Sequence, residues 1–392
     1  MEIVARRYDT QQPVRVTIDG DHITAIEPCE AAGGELPFVA PALLDLQMNG
    51  FSGQDFTDPA LTIGHVRDIS LALDAHGLGG YCPTVTTQSH EVIAHALKTI
   101  ADACEEDAEV ARRVIGIHLE GPYISAEEGP RGAHPLEHCR PPDWDEFQRL
   151  QEAARGTIEI LTLSPEYDGS ADFIRRVAES GVTVAIGHTA ADSDQIRAAV
   201  DAGARFSTHL GNGAHSMIRR HPNYIWDQLA DDRLWASIIA DGHHLPPAVI
   251  KSFLRAKTLE RCLLVSDITG LAGMPPGEYR GTSLGDVDIL DDGRIVVAAT
   301  PQYLAGASLP IGVGIANLLN YAEVDLKTAI EMATLRPAEL LELPDRPGLE
   351  VGACAELILF NLGEGDQPRA GVNSFELLDT FKSGQTVYRR QR

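Results

Sequence analysis

Apolar positions through the middle of this chain fall into short runs, each about one strand long and most followed by a segment with helical spacing. The runs at 43–47, 81–85, 114–118, 158–163, 182–186, 205–208, 235–240 and 262–266 are predicted strands. Between them, 91–105, 171–180, 192–202 and 246–256 place apolar residues three and four apart, the stripe of an amphipathic helix. A strand buried on both faces reads as a continuous apolar run, and its alternation with helices implies parallel strands joined by crossovers. About eight such units predict a (β/α)8 barrel of the TIM type. A doubly wound open sheet is the alternative, but no GxGxxG opens a helix after the first strand, so that fold's usual nucleotide signal is missing.

The two ends have a different period. Residues 14–18 and 22–26 alternate apolar with polar around Asp19-Gly20-Asp21, a hairpin pattern, and 356–360 with a turn near 382–385 repeats it. A small β-sandwich domain built from 1–40 and 346–392 is therefore expected beside a barrel over 41–345. Prolines at 37–41 and 344–347 mark its boundaries.

Polar residues with chemistry follow several of the predicted strands. Glu120 lies in His118-Leu119-Glu120-Gly121-Pro122, His188 in Gly187-His188-Thr189, His209 in Thr208-His209-Leu210, and Asp267 in Val265-Ser266-Asp267. They follow the third, fifth, sixth and eighth strands, and the C-terminal edge of a barrel is where active sites are built. One carboxylate and two imidazoles suit a divalent metal with a position left open for water, whose pKa it lowers towards neutrality. Asp267 could then take a proton from that water and pass it to a leaving amine. One histidine at a strand end is usually a hydrogen-bonded core residue. Four such residues in order are not, and a metal-dependent hydrolase leads.

Composition removes competitors. With 32 basic against 57 acidic residues the net charge is −25, which lacks the basic footprint of a nucleic-acid partner. No apolar run approaches the length of a membrane span, and the first seven residues lack a basic-then-apolar leader, so a cytoplasmic location is expected. Cys29, Cys82, Cys104, Cys139, Cys262 and Cys354 are scattered without a CxxC pair, as expected for reduced thiols.

These motifs, together with 41–50 (Pro41 to Gly50), Ile239-Ala240-Asp241-Gly242-His243-His244, Leu304-Ala305-Gly306-Ala307-Ser308-Leu309 and Met332-Ala333-Thr334-Leu335-Arg336-Pro337-Ala338, resemble N-acetylglucosamine-6-phosphate deacetylase of the amidohydrolase superfamily. The likeness runs from about Asp19 to Val387 and implies hydrolysis of the acetamide of a 2-acetamido-sugar 6-phosphate. Carried over position by position, it implies Glu120, His188 and His209 as metal ligands, Asp267 as general base and acid, and His134 directed at the substrate carbonyl. Ala133, Asn212 and Gly213 match substrate-contacting positions, and Leu304, Ala305 and Gly306 match a loop over the sugar. Arg220 and His244 match a basic pair gripping the phosphate, partly across the interface of a homodimer. In so acidic a chain, Arg219-Arg220-His221 is a local concentration of positive charge suited to that role.

One metal per subunit is expected. Where relatives place His-x-His for a second ion this chain has Gln47-Met48-Asn49, and no lysine lies between Lys98 and Lys251 to bridge a pair. Gln47 and Asn49 are expected to touch the metal-bound water or fill the second position. Zinc is the first choice, and iron, manganese and cobalt suit the same donors. The runs at 211–217 and 222–227 depart from the family pattern beside the expected sugar pocket, so the resemblance leaves open which amino sugar fits and whether its phosphate is needed. The competing expectations are another amidohydrolase on the same scaffold, or an inactive relative that only binds.

Overall fold

The structure is a computed structural model that describes residues 1–30, 35–282, 284–344, 348–364 and 373–391. Eight strands lie side by side: β1 (Leu43–Met48), β2 (Leu78–Thr86), β3 (Ile117–Glu120), β4 (Ile158–Leu163), β5 (Thr183–Ile186), β6 (Phe206–Ser207), β7 (Trp235–Ile238) and β8 (Cys262–Leu264). Every neighbouring pair is parallel. The ring closes beyond β8, where Asp267 N–H donates to Gln47 O at 3.0 Å and Asn49 N–H to Ile268 O at 2.8 Å. The barrel expected from the alternating pattern is present, and its seam runs through the predicted base.

Helices pack around the ring, starting where the sequence offers a cap. Ser89 Oγ accepts from Val92 N–H at the head of His90–Glu106, and Asp192 with Gln195 forms a reciprocal capping box before Ser193–Asp201. Alternation along the strands separates two cores. Leu161 and Leu163 join the large outer cluster under the helices, while Leu46, Cys82, Ile160, Phe206 and Leu263 form a second cluster that fills the barrel. His118 shares the inward face with Glu120 but sits one layer deeper, bonded to Leu46 O at 3.0 Å and Thr162 Oγ1 at 2.7 Å. Burial pushes its pKa down to about 4, so it is a neutral core residue.

Both ends of the described chain build one seven-stranded sheet, in the order Gln385–Arg389, Asn373–Lys382, Leu357–Glu364, Phe38–Pro41, Glu2–Arg7, Pro13–Asp19, His22–Pro28. Only Phe38–Pro41 and Glu2–Arg7 pair in parallel. The expected division near residues 345 and 346, with Pro347, lies outside the described residues.

The pattern reading missed a four-stranded antiparallel sheet of Gly277–Thr282, Gly285–Ile289, Ile295–Val297 and Thr300–Leu304. It has its own cluster of Leu271, Val287, Ile289, Ile295 and Ala305 and brings Leu284 and Leu304 over the barrel mouth. Among the described residues no helix is long and apolar enough to cross a membrane, and no disulfide joins the six cysteines.

Candidate active site

Three barrel strands stop before their polar residue and let the backbone turn. His188, His209 and Asp267 have φ of 49°, 29° and 53°, the left-handed region that costs a non-glycine residue on the order of 1–3 kcal/mol. Surrounding bonds hold the turns: Ser237 Oγ accepts His209 N–H at 2.7 Å, and Glu166 accepts Thr189 Oγ1 at 2.6 Å and Ala190 N–H at 3.1 Å. The turns swing all three side chains into the barrel mouth beside Glu120.

The result is a tight triangle. Glu120 Oε1 stands 3.1 Å from His209 Nε2 and 3.3 Å from His188 Nε2, and the two ring nitrogens are 3.1 Å apart. His188 Nδ1 donates to Pro130 O at 2.8 Å, which leaves the lone pair on Nε2 facing the triangle when the ring is neutral. Ligands at 2.0–2.1 Å on a tetrahedral ion stand about 3.3 Å from one another, so spacing and tautomer both fit a divalent metal. Burial opposes charge on Glu120, but the two imidazoles hold its carboxyl well below the usual range, and the same contact raises His209 against its own burial. His134 stands edge-on to His188 with ring centroids 4.3 Å apart, and its donor atoms fall within 4.8 Å of those of Glu120 and His188. The Glu120–His188–His209 triangle is the tighter set.

Gln47 and Asn49 hold the carboxylates. Gln47 Nε2 donates to Glu120 Oε1 at 3.0 Å and Asn49 Nδ2 to Asp267 Oδ1 at 2.8 Å. Burial raises the Asp267 pKa, Glu120 adds to the rise, and His209 and the Asn49 amide oppose it. Burial pushes His134 down to about 3, so its imidazole is neutral. His244 Nδ1 donates to Asp241 Oδ2 at 2.7 Å, and Asp241 also accepts the His243 and His244 backbone N–H groups.

A cavity of about 420 Å³ opens over these residues. Ala133, His134, Asn212, Gly213, His244, Leu304 and Gly306, positions the resemblance implied, are among the residues that line it. Ala305 and Gln47 are buried and do not line the cavity. Arg220 is exposed and does not line the cavity of a single chain. The lining also includes Asp55, Thr57, Thr86, Thr87 and Gln88, which the sequence reading did not single out.

The amidohydrolase family profile matches residues 38–387. An N-acetylgalactosamine-6-phosphate deacetylase from Escherichia coli O157:H7 is 33% identical over 87% of this chain and 89% of its own length. The human N-acetylglucosamine-6-phosphate deacetylase is 32% identical over 91% of this chain and 84% of its own. Among solved structures, a mutant of the Mycobacterium smegmatis N-acetyl-D-glucosamine-6-phosphate deacetylase in complex with N-acetyl-D-glucosamine-6-phosphate superimposes with a TM-score of 0.86, at 27% identity and 99% coverage of both chains.

Proposed function

The chain belongs to the amidohydrolase family, and from that premise we propose that it hydrolyses the acetamide of an N-acetyl amino-sugar 6-phosphate to the free amine and acetate. N-Acetylglucosamine 6-phosphate is the first substrate of this reading. The observation that carries it is the convergence of Glu120, His188, His209 and Asp267 at one end of a cavity whose sugar-sized remainder is lined by Ala133, His134, Asn212, Gly213 and His244. Curated relatives of similar length that carry this activity support it.

Glu120, His188 and His209 would hold one divalent ion, zinc by first choice. Such an ion supplies Lewis acidity, acidifying a water and polarising the acyl carbonyl. The neutral His134 is suited to donate a hydrogen bond to that carbonyl oxygen as negative charge builds there. Asp267, buried and held by Asn49, takes the proton from the attacking water and delivers it to the amine nitrogen as the C–N bond breaks. Water and amide thus become acetate and an amino sugar. His244, oriented by Asp241, and the exposed Arg220 are the proposed phosphate grip. Arg220 stands outside its own cavity, which favours a homodimer in which each chain lends it to the other. A barrel over 41–345 with a small terminal domain, and cytoplasmic residence, complete the reading.

Acetate release from N-acetylglucosamine 6-phosphate, its galactosamine epimer and the unphosphorylated sugars tests it. Turnover that requires the phosphate is the expected result. No turnover on any of them by metal-loaded, folded protein would return the substrate to the wider range of amidohydrolases.

A further inference from the structure

Two loops contribute to the wall of the cavity. One follows β3 and carries Ala133, His134 and the Pro130 carbonyl that orients His188. The other follows β6 and carries Asn212 and Gly213. The imidazole of His188 is wedged between them: a Cβ on Gly132 would lie 3.1 Å from its Cε1, and one on Gly213 only 2.6 Å from its Nδ1. Their relative position therefore sets the shape of the pocket wall.

His215 bridges the two loops. Its Nε2 lies 3.1 Å from Glu127 Oε2 on the first loop, and its Nδ1 lies 3.0 Å from the Tyr224 hydroxyl. The same hydroxyl accepts the His215 backbone N–H at 2.9 Å. One proton arrangement satisfies all three contacts. Tyr224 accepts from the backbone and donates to Nδ1, which leaves Nε2–H to donate to Glu127. Tyr224 is buried and opens the helix Tyr224–Ala230, so one end of the bridge is fixed to the outer layer of the barrel. The backbones also touch, since a Cβ on Gly129 would come within 2.9 Å of His215 Cα.

We propose that His215 is a positioning residue, the centre of a Glu127–His215–Tyr224 strap that holds the two loops in the register that forms the sugar-binding wall. The proposal rests on the amino-sugar-phosphate reading of the cavity. Because the strap touches neither Asp267 nor Glu120, its loss weakens binding more than chemistry.

Steady-state kinetics and amide hydrogen exchange on the metal-loaded protein test it together. His215→Ala is expected to raise KM for N-acetylglucosamine 6-phosphate roughly 5- to 20-fold while kcat changes by less than about threefold. Glu127→Ala should do the same, the double variant should be no worse than the worse single one, and His215→Gln, whose amide still reaches Glu127, should recover most of the loss. In His215→Ala the amides of Gly132, His134 and Asn212, bonded within their own loops, should exchange faster. An unchanged KM, additive single effects, or faster exchange confined to the residues next to 215 would overturn the strap. If the wild-type protein turns over no amino-sugar phosphate, the functional reading fails, and exchange at those amides still decides the strap by itself.

Discussion

The Asn49 side-chain amide donates to Asp267 Oδ1 across 2.8 Å, joining the first and last strands of the barrel at the seam where it closes. Asn49 thereby holds the proposed base. Asp267→Asn should lower kcat by about 10²- to 10⁴-fold with the metal retained, the range for loss of a general acid–base group. Asn49→Ala removes a donor that favours the ionised carboxylate, so the acid limb of kcat/KM should move to higher pH. A limb that stays in place or moves down would separate Asn49 from the base.

Removing one corner of the triangle tests the metal seat. Glu120→Ala should bind metal poorly by elemental analysis and lose more than about 100-fold in activity, since losing an outer partner alone costs 10- to 100-fold. Gly213→Ala is the subtler probe. Its φ is +54° and its new methyl would press on the His188 ring, so metal affinity should fall roughly 10-fold or more. The fold itself should lose only about 1–2 kcal/mol. Calorimetric titration of the metal beside thermal melting separates the two effects.

Asp45 makes stability depend on pH. Its carboxyl is wholly enclosed, and burial pushes its pKa up to about 7 against the opposing bonds from the Ser266 and Gln47 backbone N–H groups. The folded chain therefore keeps a proton that the unfolded chain releases near pH 4. Stability from this group is full below that pH and declines as pH rises to about 7, by at most about 4 kcal/mol. Asp45→Asn should lack the decline, so the difference between variant and wild type in denaturant melts should move in the variant's favour from pH 5 to pH 8. A constant difference would mean that Asp45 is already ionised at pH 5.

The proposed phosphate grip has two side chains. His244→Ala and Arg220→Ala should each raise KM for the phosphorylated sugar about 10-fold or more while changing the unphosphorylated sugar little. If Arg220 acts from the partner subunit, hybrid dimers of Arg220→Ala and inactive Asp267→Asn chains should recover a KM near that of the wild type. No recovery in verified hybrids would place its action within one chain.

The sequence was legible where burial imposed a pattern. β4 starts and ends where its apolar run does, because both of its faces are covered. β6 is cut to Phe206–Ser207 and β8 to Cys262–Leu264 because the residues that follow turn into the site. That turn is set by Ser237 and by the β1 backbone, neither visible from a local window. His118 and Glu120 are two apart on one strand face, yet one is a core residue and the other a proposed ligand. Depth along the barrel axis decides this, and periodicity cannot show it. The four-stranded sheet over the mouth escaped because its strands are short and half exposed, although the Asp291-Asp292-Gly293 turn between 285–289 and 295–297 has a hairpin signature. Arg220 was singled out by the resemblance together with a local run of positive charge, and a single chain leaves it outside the cavity.

The seven-stranded sheet has a consequence for how the molecule is made. Phe38–Pro41 runs almost directly into β1, yet one of its two neighbours, Leu357–Glu364, leaves the ribosome only after the entire barrel. Until then the first barrel strand hangs from a sheet with an open edge, the kind of surface that invites pairing with another chain. Synthesis order thus makes the late strand a latch: a message cut short after the proposed metal ligands and Asp267 would carry every proposed catalytic group and still lack the strand that completes the sheet.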